Sequence, residues 1–441
     1  MSGASEPGVR ARLLRVFSAQ IYNQGVTMLV QIGLVPVLLA LWGVKTYGTW
    51  LLVSAVPTYL AFSDLGFTYV AKNVMVSQVA NGDRAAALRT FQSIFALLNI
   101  VAPLALLVLA LVAWGLDVPR LIGVAPEDAA AGMQALVLLV AAVLVYQYFL
   151  LVCAGVRSEN RAAIESVFGA TIRLVEAVAI AAVAASGAGI VAAAAATLIA
   201  RLLYTGAVYL WLRGASPWLS FGHEAADRAE IRAMLHPAIA YAVIPIAQAL
   251  LIQGPVIVVG SLMGPAAVVV FSTTRTLTRM GTSATNVLNN TFVTEYAYRW
   301  GSGAAGDFLA LMRRHQKLSV AAIGGYAVGL MLFGRLALGL ITHGTVDPGY
   351  LFLALMMAGV ACEMLYSSIL TPLSAANRHT RASHFLLAAS IAGVLACYPA
   401  VKIAGLSGGA AAVFMAQAIA LAGFLAMLRA LLRQPPLSTA N

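Results

Sequence analysis

Charge is scarce in this chain, and acidic charge scarcest: only 16 of 441 residues are Asp or Glu, and 10% of positions carry any charge. A soluble domain of that length could not cover its surface with so few ionised groups. Cysteine is nearly absent too. Cys153, Cys362 and Cys397 stand singly in apolar stretches, which excludes a disulfide framework and a paired-cysteine zinc site. Period-two alternation is missing, which excludes a transmembrane barrel. No GxxxxGK[ST] or HExxH occurs, so the common nucleotide and metalloprotease signatures are lacking. "GAGIVA" (187–192) fits G-x-G-x-x-A, but no strand precedes it. "NNT" (289–291) reads as a glycosylation sequon yet falls at membrane depth.

What is abundant is apolar: 61% of residues are hydrophobic and the mean hydropathy is +0.89. The apolar residues come in runs of about 20 or more, the length a helix needs to cross the hydrocarbon. The expected fold is all-α and polytopic, with twelve helices near 14–41, 48–76, 86–114, 130–153, 163–186, 190–212, 234–259, 265–293, 308–341, 349–374, 383–404 and 409–432. Arg10, Arg12 and Arg15 precede the first run, which contains Gln24 and Gln31 and leads straight into the second. It reads as a retained first helix rather than a signal peptide.

Basic residues fix the orientation. Lys45, Arg120, Arg335 and Lys402 fall on one side of the membrane, Arg173, Arg201, Arg275 and Arg279 within helices, and the other 19 of 27 Lys and Arg on the opposite side. The richer side is cytoplasmic, with both termini inside. The same placement explains the net charge of +11 through topology, so nucleic acid is not an expected partner. A hydrophilic stretch divides the chain into lobes 1–212 and 234–441, joined by an amphipathic cytoplasmic linker at 213–233. "YQYFLLVCAGVRSENRA" (146–162) aligns with "YSSILTPLSAANRHTRA" (366–382) at an offset of 220, hinting at a duplicated six-plus-six plan.

Polar residues recur on single helix faces. At about 100° per residue, Arg275, Arg279, Thr282, Asn286 and Asn289 share a sector of roughly 80°. Asn23, Thr27 and Gln31 lie with Gln20 and Gln24 in a sector of about 100° on helix one, and Glu363, Ser367 and Ser374 share a face of helix ten. An arginine at mid-membrane costs about 2.5–3.5 kcal/mol on insertion scales, so it faces a cavity or a partner. Arg275 lies roughly 15 Å from the outer helix end, near the midplane. Arginine stays charged and its donor fork matches phosphate. Arg275 and Arg279, with Asn286, Gln31, Asn23 and Thr27, are therefore candidate substrate contacts. The alternative is neutralisation by Glu295, Glu363 or Asp64. Arg173, Glu176 and Arg201 read first as internal charge pairing. Asp64 and Glu363 suit either pairing or ion coupling. The six histidines map to loops or helix ends.

At "FSTTRTLTRM…NTFVTEY" (271–296) the chain resembles the O-antigen and exopolysaccharide flippases, the Wzx-type branch of the MOP superfamily, although Thr294 stands where that family usually has proline. "YGTWLLVSAVPTYLAFSDLGF" (47–67), "SAANRHTRAS" (374–383) and "GLSGGAAA" (405–412) resemble other parts of the same family. The resemblance implies a MATE-like fold, two six-helix lobes around a central cavity, in a bacterial inner membrane. It implies alternating-access transfer of an undecaprenyl-pyrophosphate-linked glycan to the outer leaflet, with Arg275 and Arg279 attracting the pyrophosphate. The partners would be this lipid-linked oligosaccharide, membrane lipids, and polysaccharide polymerase and chain-length machinery; no cofactor is implied. Competing readings are a MATE-like cation or drug antiporter, a peptidoglycan-precursor flippase, which typically has two more helices, and a membrane glycan polymerase or ligase, which usually needs a large outer loop. Transport could draw on the membrane potential, about 2.3 kcal/mol per charge per 100 mV.

Overall fold

The computed structural model describes residues 9–60, 66–301, 305–375 and 380–432, and all the regular structure there is helical. The helices are α1 (Val9–Leu60), α2 (Phe67–Ala80), α3 (Arg84–Leu116), α4 (Val118–Leu121), α5 (Ala129–Ser158), α6 (Ala162–Ala185) and α7 (Ile190–Ala215). They continue with α8 (Arg228–Arg279), α9 (Gly281–Gly301), α10 (Ala305–Ile341), α11 (Tyr350–Ala375) and α12 (Thr380–Leu432). Among the described residues, nine spans are long and apolar enough to cross a membrane, so this is a multi-pass membrane protein.

Three of those spans are far longer than a bilayer requires, at 38, 48 and 49 residues. Each contains a break. α1 is interrupted at Gly43 (φ 70°, ψ 176°) and α8 at Gly264 (φ 80°, ψ 180°), nearly the same backbone conformation in residues 221 apart. α12 breaks at Ala404 and Gly405. Helical hydrogen bonding cannot run through a residue at positive φ with extended ψ, and only glycine adopts it without strain. Each long helix is thus two helices joined by about one residue.

Two compact units emerge. The first comprises the chain to Thr46, Val56–Leu121 and Ala125–Ala242; the second comprises Tyr47–Ala55, Ile122–Val124 and the chain from Val243. In the first, α5 is the central helix, packed most extensively on α7 and α2; in the second, α11 packs the same way on α12 and α9. Phe91, Phe149, Met75, Leu98 and Leu212 build the first core, and Tyr296, Phe308, Tyr366, Ile369 and Phe424 a core of the second.

The expected linker at 213–233 spans the end of α7, a run of turns and the start of α8. Residues 216–227 form turns bound to the first unit. Gln92 accepts from the Ala225 amide (2.8 Å) and donates to the Ser220 carbonyl (3.2 Å), Ser93 Oγ accepts from the Asp227 amide, and Phe221 stacks on Tyr209 at 4.1 Å. Met234 and Ala238 at the start of α8 join the same core. That packing carries the first unit past the linker to Ala242.

Two expected helices are interrupted. The second, at 48–76, is divided at Gly66 (φ 80°), after which α2 starts, and its residues 61–65 lie outside the described residues. The eighth, at 265–293, is cut at Met280, where Met280 and Ser283 make turn bonds back to Leu277 and Met280.

Candidate functional site

The break at Met280 sets the geometry of the arginine helix. Arg275 and Arg279 occupy the last two turns of α8, while Thr282, Asn286 and Asn289 belong to α9. The helix expected to run through 275–289 thus has its backbone interrupted at Met280. Asn286 is exposed, whereas Arg279 and Asn289 both reach α11, at Glu363 and Ser367, one turn apart.

Arg279 Nη1 forms an ion pair with Glu363 Oε2 of α11, and Gln417 Nε2 of α12 donates to the same oxygen at 3.4 Å. The Glu363 side chain is 8% exposed and that of Arg279 26%, so the carboxylate is the more shielded member. Burying a lone carboxylate at membrane depth is costly, and the arginine with the glutamine amide offsets that cost. Arg275 Nη1 donates to the Ile252 carbonyl of α8, on the other side of the Gly264 break. The Tyr326 hydroxyl of α10 donates to the Leu277 carbonyl (2.6 Å), and a Cβ on Gly281 would lie 2.5 Å from the Tyr326 ring. The missing side chain at Gly281 lets α10 seat against the end of α8.

Below this lies a second polar network. Asn289 Nδ2 donates to Ser367 Oγ (3.0 Å), so its Oδ1 faces His315 Nε2 at 3.1 Å and accepts from it. That leaves His315 Nδ1 to accept from the Tyr296 hydroxyl at 3.1 Å. Phe292 stacks on the imidazole at 4.5 Å. His315, expected near a helix end, is fully buried well inside α10. The sequence does carry a signal for it: Met312, His315, Ser319 and Ile323 recur at helical spacing, and all four are buried.

The first unit holds its own cluster. Arg201 of α7 grips both Glu176 carboxylate oxygens of α6 with Nε and Nη2, at 2.7 and 3.1 Å, and lies 5.0 Å over the Tyr146 ring. Arg173 Nη2 donates to Asn23 Oδ1 of α1. Thr27 Oγ1 bonds back to the Asn23 carbonyl (2.7 Å) within α1, and Gln31 is exposed. So Arg201 with Glu176, Arg173 with Asn23, and Arg279 with Glu363 are brought together. Asp64 and Glu295 are not among the residues whose side chains are described. Glu363 is far from Arg279 in sequence, and neither Ile252 nor Gln417 carries any sequence signal as a partner. Among the described residues, no group of three His, Cys, Asp or Glu could hold a metal ion.

No family model matches the sequence, and no curated protein is recognisably similar to it. Solved structures are similar in fold. A multidrug resistance MATE family transporter of the MOP superfamily, in an inward-facing conformation, superposes with a TM-score of 0.76 at 13% identity, over 95% of this chain and 99% of that one. The MATE multidrug transporter DinF-BH gives 0.71 at 14% identity, over 98% of both chains. The lipid II flippase MurJ, in an inward closed conformation, gives 0.65 at 10% identity, over 94% of this chain and 87% of that one. The chain thus has the fold of MOP-superfamily transporters.

Proposed function

We propose that this protein is a flippase for an undecaprenyl-pyrophosphate-linked oligosaccharide, an O-antigen or exopolysaccharide repeat unit, in a bacterial inner membrane. The three broken spans count as two passes each, making twelve, with both termini cytoplasmic. The observation that carries the reading is the pair of guanidiniums in the last two turns of α8, within a fold shared with a lipid II flippase and with drug exporters. A cation-exporting cavity has no use for two permanent cations; a diphosphate does. Glu363 occupies on Arg279 the position of an anionic ligand, and a phosphate would compete with that carboxylate for the guanidinium. Arg275 adds a second cation one turn away. The released glycan would pass to a polymerase and chain-length machinery.

A MATE-like antiporter is the second reading, favoured by one feature: Glu363 is a buried carboxylate at membrane depth, the kind of group that binds a proton or a sodium ion. The two readings part at residue 363. A flippase-null strain would be complemented with wild type, Arg275→Ala, Arg279→Ala, both Lys versions and Glu363→Gln, at matched membrane levels. Surface glycan and glycan lipid left facing the cytoplasm would be scored. Loss of export in the arginine variants, with folded protein retained, supports the flippase. Normal export by both Ala variants removes the substrate role. Cation efflux by the wild type that Glu363→Gln abolishes would move the protein to the antiporter class.

A further inference from the structure

The strongest unused feature is a groove on α10 lined by Ala310, Arg313, Arg314, Lys317 and Leu318, with a volume of about 560 Å³. All three cations are exposed, and among the described residues none makes an ion pair or hydrogen bond. Their position along the helix matters more than their number. At about 100° per residue, Arg314, Lys317, Leu318, Val328, Leu332 and Leu336 fall within a sector of roughly 100°. Val328, Leu332 and Leu336 of that sector are 61%, 68% and 63% exposed, the mark of a surface that faces acyl chains.

Arg335 bounds this apolar face at the far end, 18 residues or roughly 27 Å from Lys317, close to the hydrocarbon thickness. Arg335 is neutralised there: it bonds both oxygens of Asp347 and lies 4.6 Å over Tyr350. The near end has no such carboxylate on its cations. Asp307 is two turns further on and does not line the groove. One α10 face thus offers three open cations at the depth of lipid headgroups, continuous with a strip that contacts lipid tails.

We infer that this groove binds an anionic phospholipid of the cytoplasmic leaflet. Its phosphate sits among Arg313, Arg314 and Lys317, and its chains lie along Leu318–Leu336. Arginine's fork and lysine's point charge together suit a phosphodiester. The open groove has no buried donors for recognising a sugar, which favours a bulk lipid over the glycan carrier. This site is separate from Arg275 and Arg279 and does not depend on the transport reading.

Native mass spectrometry of the purified full-length chain tests it, by titrating phosphatidylglycerol, phosphatidylcholine with the same acyl chains, and undecaprenyl pyrophosphate. The expected result is a phosphatidylglycerol adduct at least ten-fold tighter than that of phosphatidylcholine. Arg313→Gln/Arg314→Gln/Lys317→Gln should weaken it on the order of a hundred-fold, since each cation near a membrane surface contributes about 1 kcal/mol. Arg228→Gln/Arg232→Gln, equally exposed cations on α8, should leave it unchanged. Equal binding of the two phospholipids, equal losses in both variants, or a groove that takes only undecaprenyl pyrophosphate would each overturn the inference. Transport assays do not enter, so failure here is distinct from failure of the flippase reading.

Discussion

Arg279 and Glu363 lie 84 residues apart and meet as a part-buried ion pair that ties the end of α8 to α11. The pair also holds Gln417 of α12, so three helices share one carboxylate oxygen. Removing one charge strands the other at membrane depth.

Glu363→Ala should therefore destabilise the protein, toward the lower end of the about 3–5 kcal/mol seen for broken buried pairs, because Arg279 retains some exposure. Arg279→Met/Glu363→Leu should recover most of that stability while abolishing export. Thermal unfolding of the purified single and double variants decides it. A double variant no more stable than the worse single would show that the pair is not what links these helices.

In the first unit, the two-pronged Arg201–Glu176 contact is expected to be structural. Arg201→Ala should lower the amount of folded protein in the membrane, and Arg201→Glu/Glu176→Arg should restore part of it. Export per folded molecule should stay near wild type. A full-length Arg201→Ala protein at normal abundance that fails to export would place Arg201 in the transport path instead.

His315 closes a chain from Ser367 through Asn289 to Tyr296. His315→Phe keeps the aromatic volume but leaves Asn289 Oδ1 and the Tyr296 hydroxyl without a partner, each costing about 1–3 kcal/mol. Its melting temperature should fall well below that of Tyr296→Phe, which strands only one acceptor. Equal melting points for the two would mean the network contributes little.

The linker offers a test that needs no substrate. Gln92→Ala removes the acceptor for the Ala225 amide and the donor to Ser220. Residues 216–227 should then open to protease, with cleavage about ten-fold faster than in wild type. Unchanged digestion would mean that Phe221 stacking alone holds the strap.

Much of the fold is legible in the sequence because hydropathy and span length are local properties. The runs expected near 130–153, 163–186, 190–212 and 308–341 fall on α5, α6, α7 and α10, since nothing but apolar length is needed to make them. The break at Met280 is only partly legible: Gly281, Thr282 and Ser283 are weak helix formers, but the apolar periodicity runs through them, and the interruption accompanies Tyr326 seated on Gly281 and bonded to Leu277. Partner choice is harder still. Arg279 has three carboxylates to choose from by sequence, and only tertiary packing brings Glu363 to it. His315 escapes for another reason: its neighbours Arg313, Arg314 and Lys317 are exposed, and their charge masks the buried face that runs through the same turn.

The single-residue breaks at Gly43 and Gly264 have an evolutionary corollary. Where two long helices reverse through one glycine, chain length is locked: an inserted residue has no slack to enter and must rotate one whole helix face out of register. Relatives of this protein should tolerate insertions in the turns between Asp117 and Asp128 or after Ile341, and show almost none at the two glycines. An alignment of such relatives would then reveal these hinges as columns without gaps, long before any side chain in the transport path became recognisable.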